Sequence, residues 1–291
     1  MEEETTEQST GRKSIFEKIK KIDIYTWMIV VLLVLAANGI YADIMSISSA
    51  TPASSIVQML LLQLSVSVTI AAVTDMTIKF AKTKQLKLSK TGIITGLFVA
   101  SILAEGTPLL IVAAAAFLAE LLKHAIRYQN RNIFNPALLL LFVMSLVFKA
   151  DLSWWASASL SGVLPFGIPL AVILGLFICW KYKRLSLVLP ALLAYFIISF
   201  VLTGISNLSA DTIVGYLLNN TLYYFVLLML VEPKSSPVYR NSRIAYGITA
   251  AILLNVLPLF SSVSVAVAAN AYPITILLSN LLGRVYEKLI K

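Results

Sequence analysis

Residues 55–90 read SIVQMLLLQLSVSVTIAAVTDMTIKFAKTKQLKLSK. Up to Ile78 the stretch holds a single ionisable side chain, Asp75, and then five lysines arrive within twelve residues: Lys79, Lys82, Lys84, Lys87 and Lys90. At 1.5 Å per residue, an apolar run of this length crosses a hydrocarbon core of about 30 Å as a helix. Lysines gathered at one end of such a run mark the end that stays in the cytoplasm. The stretch therefore predicts a transmembrane helix followed by a cytoplasmic loop.

The same alternation runs through the whole chain. Of 291 residues, 59% are apolar and 13% charged, and the mean hydropathy is +0.87. Soluble domains carry about 25% charged residues, so a soluble enzyme is excluded. Apolar runs lie at about 24–42, 55–78, 91–104, 107–122, 135–148, 164–180, 185–205, 213–231, 244–260 and 263–282. The expected fold is an all-α, polytopic integral membrane protein with about ten transmembrane helices. The third to fifth runs are short, as in segments packed inside a bundle or broken near a site.

The net charge of +9 admits two explanations, an acidic partner such as nucleic acid or a record of membrane orientation. If helices alternate sides, 22 of the 23 basic residues fall on one side, and Lys149 alone falls on the other. That partition places both termini in the cytoplasm of a cell (inner or plasma) membrane protein, and no nucleic acid is needed to explain it. Ten helices divide into two five-helix halves, about 24–148 and 164–282, the second inverted relative to the first. Asn135-Pro136 opening the fifth run and Asn270-Ala-Tyr-Pro273 interrupting the tenth are a faint echo of such a repeat. Residues 1–21 read as a polar tail followed by a basic surface segment, 22–285 as one transmembrane domain, and 286–291 as a second tail. The first run is a retained helix and not a cleaved leader, because no small-residue cleavage site follows it.

Several groups invite chemistry. Gly92 and Gly96 form a small-xxx-small face on which helix backbones approach closely. Glu120, Lys123 and His124 share one helix face, with Arg127 a turn later. They read either as a charged helix end in the headgroup zone or as an ionisable relay or anion site. Asp75 invites the same two readings, and Lys79 one turn on can neutralise it. In RNIFNPA (131–137), Pro136 suits the first turn of a helix and Asn135 its N-cap. That helix start offers N–H groups to an anion, with Arg131 close in sequence. In LVEPKSSPVYRNSRIAYG (230–247), a proline-stiffened turn carries Ser235 and Ser236, with Arg240 and Arg243 next in line, read as a phosphate or partner site or as a tight connection. Asn38, Gln58, Gln63, Asn219, Asn220, Asn255 and Asn270 are expected to hydrogen-bond between helices, or in part to line a noncovalent flavin or a solute path. One cysteine and one histidine leave no protein-ligated metal centre. No P-loop, Rossmann fingerprint or nucleophilic triad is present, so NADH chemistry would come from a partner.

Taken together, RNIFNPA after KHAIRY (123–128), TGIITG (91–96) two runs ahead, and VEPKSSP (231–237) with RIAYG (243–247) resemble one family. It is the family shared by the D-type membrane protein of the Rnf electron-transport complex and the B-type membrane protein of the sodium-pumping NADH:quinone reductase. The resemblance covers roughly residues 24–285. It implies a ten-helix inverted repeat, FMN or riboflavin, and a place in an electron-transport complex that moves sodium or protons. Members with covalent FMN attach it through a threonine in an SGAT-type motif. Here the corresponding KADLSWWASASLSGVLPF (149–166) has no threonine, so any flavin is expected to be noncovalent. Trp154 and Trp155 in that loop read as interfacial anchors in preference to a stacking surface for an isoalloxazine ring. The residues expected to bind cofactor or partner at the cytoplasmic face are Arg131, Asn135, Pro136, Glu232, Pro233, Ser236 and Pro237. The expected partners are the lipid bilayer and redox subunits. The alternatives are a small-solute or ion transporter or channel on the same scaffold, and a non-catalytic anchor for a cytoplasmic oxidoreductase.

Overall fold

The computed structural model describes residues 22–46, 53–129, 131–157, 170–205 and 219–290. The tail and basic surface segment at 1–21, the 158–166 part of the flavin loop, and the beginnings of the sixth and eighth apolar runs lie outside the described residues. The helices are α1 (Ile24–Ser46), α2 (Ala53–Thr83), α3 (Lys90–Ile102), α4 (Leu109–Ala125), α5 (Pro136–Val147), α6 (Leu170–Lys181) and α7 (Leu185–Ile205). They are followed by α8 (Asn220–Tyr224), α9 (Arg240–Val256), α10 (Val265–Ala269) and α11 (Ala271–Leu289). A two-residue hairpin pairs β1 (Arg127–Tyr128) with β2 (Arg131–Asn132), antiparallel.

Helix starts follow the polar residues that punctuate the apolar runs. Asp23 accepts from the Thr26 N–H at 3.1 Å and its hydroxyl at 2.8 Å, tying off the first turn of α1. Ser89 caps α3 through the Gly92 N–H at 3.0 Å, and Asn135 caps α5 through the Leu138 N–H at 3.2 Å, with Pro136 next in line. Asn219 caps α8 in the same way. Each such cap is worth about 1 kcal/mol. Asn270 separates α10 from α11, the interruption expected there.

α3 is the inner helix of the first half. All of its residues from Thr95 to Ile102 are buried. It lies against α2 with no side chain between the backbones at two points. A Cβ on Gly96 would stand 2.6 Å from Val68 Cα, and one on Gly92 2.9 Å from Ala72 Cα. The close approach lets polar groups cross the interface. Ser67 donates to the Gly96 carbonyl at 2.8 Å, and Gln63 to the Ala100 and Leu103 carbonyls at 2.9 and 3.2 Å. Asn255 likewise links α9 to α7, accepting from Ser199 and donating to the Tyr195 carbonyl. The interhelical role expected of these amides holds at both places.

The basic loops meet at one end of the molecule. Lys90 pairs with Asp23, Arg131 with Glu287, and Arg243 donates to the Lys183 carbonyl. At another end, the chain after α3 meets the chain after α5, with Ala104 N–H on the Asp151 carbonyl and a bridge between Leu103 and Leu152.

The apolar runs become helices nearly where expected, but ten spanning helices and an inverted 5+5 repeat do not result. Among the described residues, four helices are long and apolar enough to cross a membrane: Ile24–Met45, Ser54–Thr83, Leu185–Gly204 and Arg240–Ser262. α3 and α5 have 13 and 12 residues, and a 12-residue helix reaches only about 18 Å; α6 is described from Leu170 to Lys181. α8 lasts five residues before the chain tightens into a π turn, Phe225–Met229. The long helices are first and second of the first half but second and fourth of the second half, which is not the pattern of a repeat. The physical reason is that hydropathy reports burial from water, whether by lipid or by protein. The short runs satisfy it by packing inward. The result is a helix-rich, membrane-associated chain.

Two smaller expectations are also corrected. Trp154 and Trp155 are core residues and not interfacial anchors. Trp155 donates to the Ala100 carbonyl at 2.8 Å, and Trp154 packs on Tyr224, Phe225 and Tyr272. Residues 286–289, expected as tail, continue α11.

Candidate functional site

Asp75 lies two turns before the end of α2 and is completely buried. Its carboxylate receives Lys79 Nζ at 2.8 Å, the Thr91 hydroxyl at 2.8 Å and the Ser89 hydroxyl. From α4 it meets His124 Nε2 at 2.6 Å and Lys123 Nζ at 3.3 Å. Glu120, also completely buried, pairs with Lys123 at 2.5 Å. The i, i+3, i+4 spacing of Glu120, Lys123 and His124 puts all three on the face of α4 that meets α2. Ser89 does double duty, capping α3 and binding Asp75. With Nε2 on the Asp75 carboxylate, His124 Nδ1 has no hydrogen-bond partner among the described residues.

Asp75, Glu120 and His124 each bring one donor atom, and these lie within 4.8 Å of one another. By spacing alone they could chelate a metal ion. The ammonium groups of Lys79 and Lys123 already stand against the same carboxylates, and a divalent ion would have to displace them or add its charge to theirs. The donor set therefore suits protons and hydrogen bonds better than a metal.

Through Lys123 and Thr91 this cluster borders a cavity of about 60 Å³, while Asp75, Glu120 and His124 lie behind its lining. Thr91, Thr95 and Lys123 line it on that side, Asn135, Pro136 and Ala137 at the start of α5 on another, and Glu232, Pro233 and Lys234 on a third. The π turn before Glu232 brings that acid to the cavity, and Leu228 within the turn also lines it. Such turns occur often at functional sites. Burial pushes the Glu232 carboxyl above its usual range, against the Ser235 hydroxyl that donates to it at 2.9 Å. Burial, and then the nearby Lys123 charge, push the Lys234 ammonium down.

The two motifs singled out in the sequence thus meet in space, but their residues divide into two groups. Asn135, Pro136, Glu232 and Pro233 line the cavity. Arg131, Ser236 and Pro237 belong to a clamp behind it. Arg131 holds Glu287 at 2.7 and 3.0 Å and the Ser236 carbonyl, so it is not aimed at the start of α5. The Ser236 hydroxyl is spent on the Glu232 carbonyl at 2.7 Å, and the Pro237 carbonyl accepts from Arg184 and from Arg243 at 3.1 Å. Arg284 completes the clamp on the Asn132 and Lys234 carbonyls.

Sequence reading missed Arg184, Arg284 and Glu287, whose partners lie far away in the chain. It also missed Ser89 and Thr91, although a serine at the foot of an apolar run is a preferred N-cap. A cavity of this size admits about four waters. No protein-family model matches the chain, and no curated protein matches it; the family resemblance rests on the motif residues themselves.

Proposed function

We propose that the chain is a multi-pass protein of the cell membrane that supports a redox-driven electron-transport complex, similar to the D-type membrane protein of the Rnf complex and the B-type membrane protein of the sodium-pumping NADH:quinone reductase. In this reading a partner at the cytoplasmic face holds the electron-carrying cofactor, and this chain contributes the membrane path of the coupled ion. The observation that carries the reading is the meeting of the 131–137 and 231–237 motifs on one cavity, against a buried group of ionisable side chains. Carboxylates and lysines inside apolar helices are costly and mark ion or proton pathways. The clamp of arginines on the backbone of 232–237 keeps that turn rigid, as a docking surface for a partner requires.

The test is purification of the tagged full-length chain from its native membranes, with visible absorbance before and after denaturation and identification of co-purifying proteins. A flavoprotein that co-purifies, with flavin released on denaturation, is the expected result. Flavin that stays with this polypeptide would overturn the noncovalent reading. A chain that purifies alone and carries solute flux in proteoliposomes would establish the transporter in place of the redox role.

A further inference from the structure

The charges of the cluster and of the adjoining cavity wall balance one for one. Asp75, Glu120 and Glu232 are carboxylates; Lys79, Lys123 and Lys234 are ammonium groups; His124 is the one imidazole among them. An anion would find each ammonium already matched by a carboxylate. A divalent cation would leave two uncompensated charges in a buried site, which costs several kcal/mol per charge. A proton adds one charge and displaces nothing.

The geometry also forms a chain. His124, at the last turn of α4 and 11% exposed, bonds Asp75 at 2.6 Å. Lys123 stands between Asp75 at 3.3 Å and Glu120 at 2.5 Å. Apart from Lys123 and the neighbouring Thr95 hydroxyl, neither oxygen of the buried Glu120 has a hydrogen-bond partner among the described residues, and neither has His124 Nδ1. Thr95 and Lys123 both face the cavity.

We propose that His124, Asp75, Lys123 and Glu120 form a proton-loading site between the basic end of the bundle and the cavity. A proton bound at His124 Nδ1 makes the imidazolium, and the Nε2 proton passes to Asp75. Lys123 gives a proton to Glu120 and recovers one from Asp75. One proton enters, one is stored on Glu120 behind the cavity-lining Lys123 and Thr95, and only N–H and O–H bonds form and break. His124 is left with its hydrogen on Nδ1 and resets by ring rotation. The charged groups facing the site are Lys79 on α2, Lys123 on α4, and Glu232 and Lys234 after α8, with Arg127 acting on Lys234. The proposal deepens the reading above by naming the coupled ion, and it rests on that reading for the use made of the proton. Its test needs no redox partner, so a failed titration and a missing flavoprotein are separate results.

The experiment is pH-difference infrared spectroscopy on the full-length chain in lipid nanodiscs. Lowering the pH across about 8 to 5 is expected to raise one carboxylic-acid stretch, absent in Glu120→Gln. His124→Gln, which keeps an N–H donor for Asp75, is expected to move its midpoint by about one pH unit. A band that persists unchanged in Glu120→Gln, a midpoint indifferent to His124→Gln, or a response to sodium at fixed pH in place of pH would each overturn the proposal. So would the absence of any such band from the folded protein.

Discussion

Gly96→Ala is the sharpest probe of how α2 and α3 are held together. The added methyl would stand 2.6 Å from Val68 Cα, 2.8 Å from the Ser67 carbonyl oxygen and 2.9 Å from Val68 N. All three are backbone atoms, so no side chain can rotate away, and the helices must separate by roughly 1 Å to restore ordinary contact. Overpacking of this kind costs about 1–3 kcal/mol. Separation also stretches the bonds that the close approach permits, from Ser67 to the Gly96 carbonyl and from Gln63 to the end of α3. One such bond lost adds about 1 kcal/mol. The expected loss is therefore about 2–4 kcal/mol, read as equilibrium unfolding of the full chain in mixed micelles. Gly204 in α7 supplies the control, because a Cβ there meets nothing within 4 Å. Gly204→Ala gains helix propensity and is expected to be neutral or stabilising by up to about 1 kcal/mol. If Gly96→Ala fell within about 0.5 kcal/mol of wild type, the close backbone contact would be refuted.

Other perturbations have equally definite outcomes. Asn135→Ala removes the cap on the Leu138 N–H and is expected to lower stability by about 1 kcal/mol, with Asn135→Asp restoring most of it in the same thermal melt. Arg131→Lys keeps the charge but loses the fork that grips both Glu287 and the Ser236 carbonyl; a drop of about 1–2 kcal/mol is expected, and an unchanged melting temperature would count against the clamp. Burial acts to raise the Glu287 carboxyl, but the bonds from Arg131 and the Val238 N–H and the Arg284 charge outweigh it and hold the group below its usual range. Because the folded value is the lower one, the contribution is full above the ordinary glutamate value of about 4.3 and fades as the pH falls through the depressed value. Glu287→Gln should flatten that acid limb, measured as melting temperature against pH. Cys179, fully buried with its thiol on the Leu227 carbonyl at 3.1 Å, should resist maleimide in the folded protein and react after denaturation.

What the sequence revealed was local. The cap at Asn135, the Asp75–Lys79 pair, the Gly92/Gly96 face and the break at Asn270 each depend on residues within one helical turn or on what a single residue type can do. What it concealed depended on partners. Arg131 and Glu287 are 156 positions apart, and no spacing rule joins them. The short runs looked like spans because Val, Leu and Ile leave water equally well for lipid or for protein. Trp155 looked like an anchor because an indole near a helix end often is one; here its N–H finds the Ala100 carbonyl instead. Of the candidate site, the ionisable face of α4 was readable. The convergence of its face with the 231–237 turn on one cavity required the tertiary structure.

The basic residues that first looked like a clue to an acidic partner divide by chemistry once their partners are known. Arg131, Arg184, Arg243 and Arg284 all donate to backbone carbonyls, and all four touch the 232–237 turn. A guanidinium is charged at every relevant pH and its fork fixes direction, so these four are scaffold. Lys79, Lys123 and Lys234 instead face carboxylates around the cavity. An ammonium on a flexible stem can yield a proton when buried. The arginines thus keep the turn still while the lysines beside it can change charge, an arrangement that a static connection between helices would not need. For that reason the functional weight falls on the lysine, carboxylate and histidine side of the basic end, even though the residues first singled out by motif included an arginine.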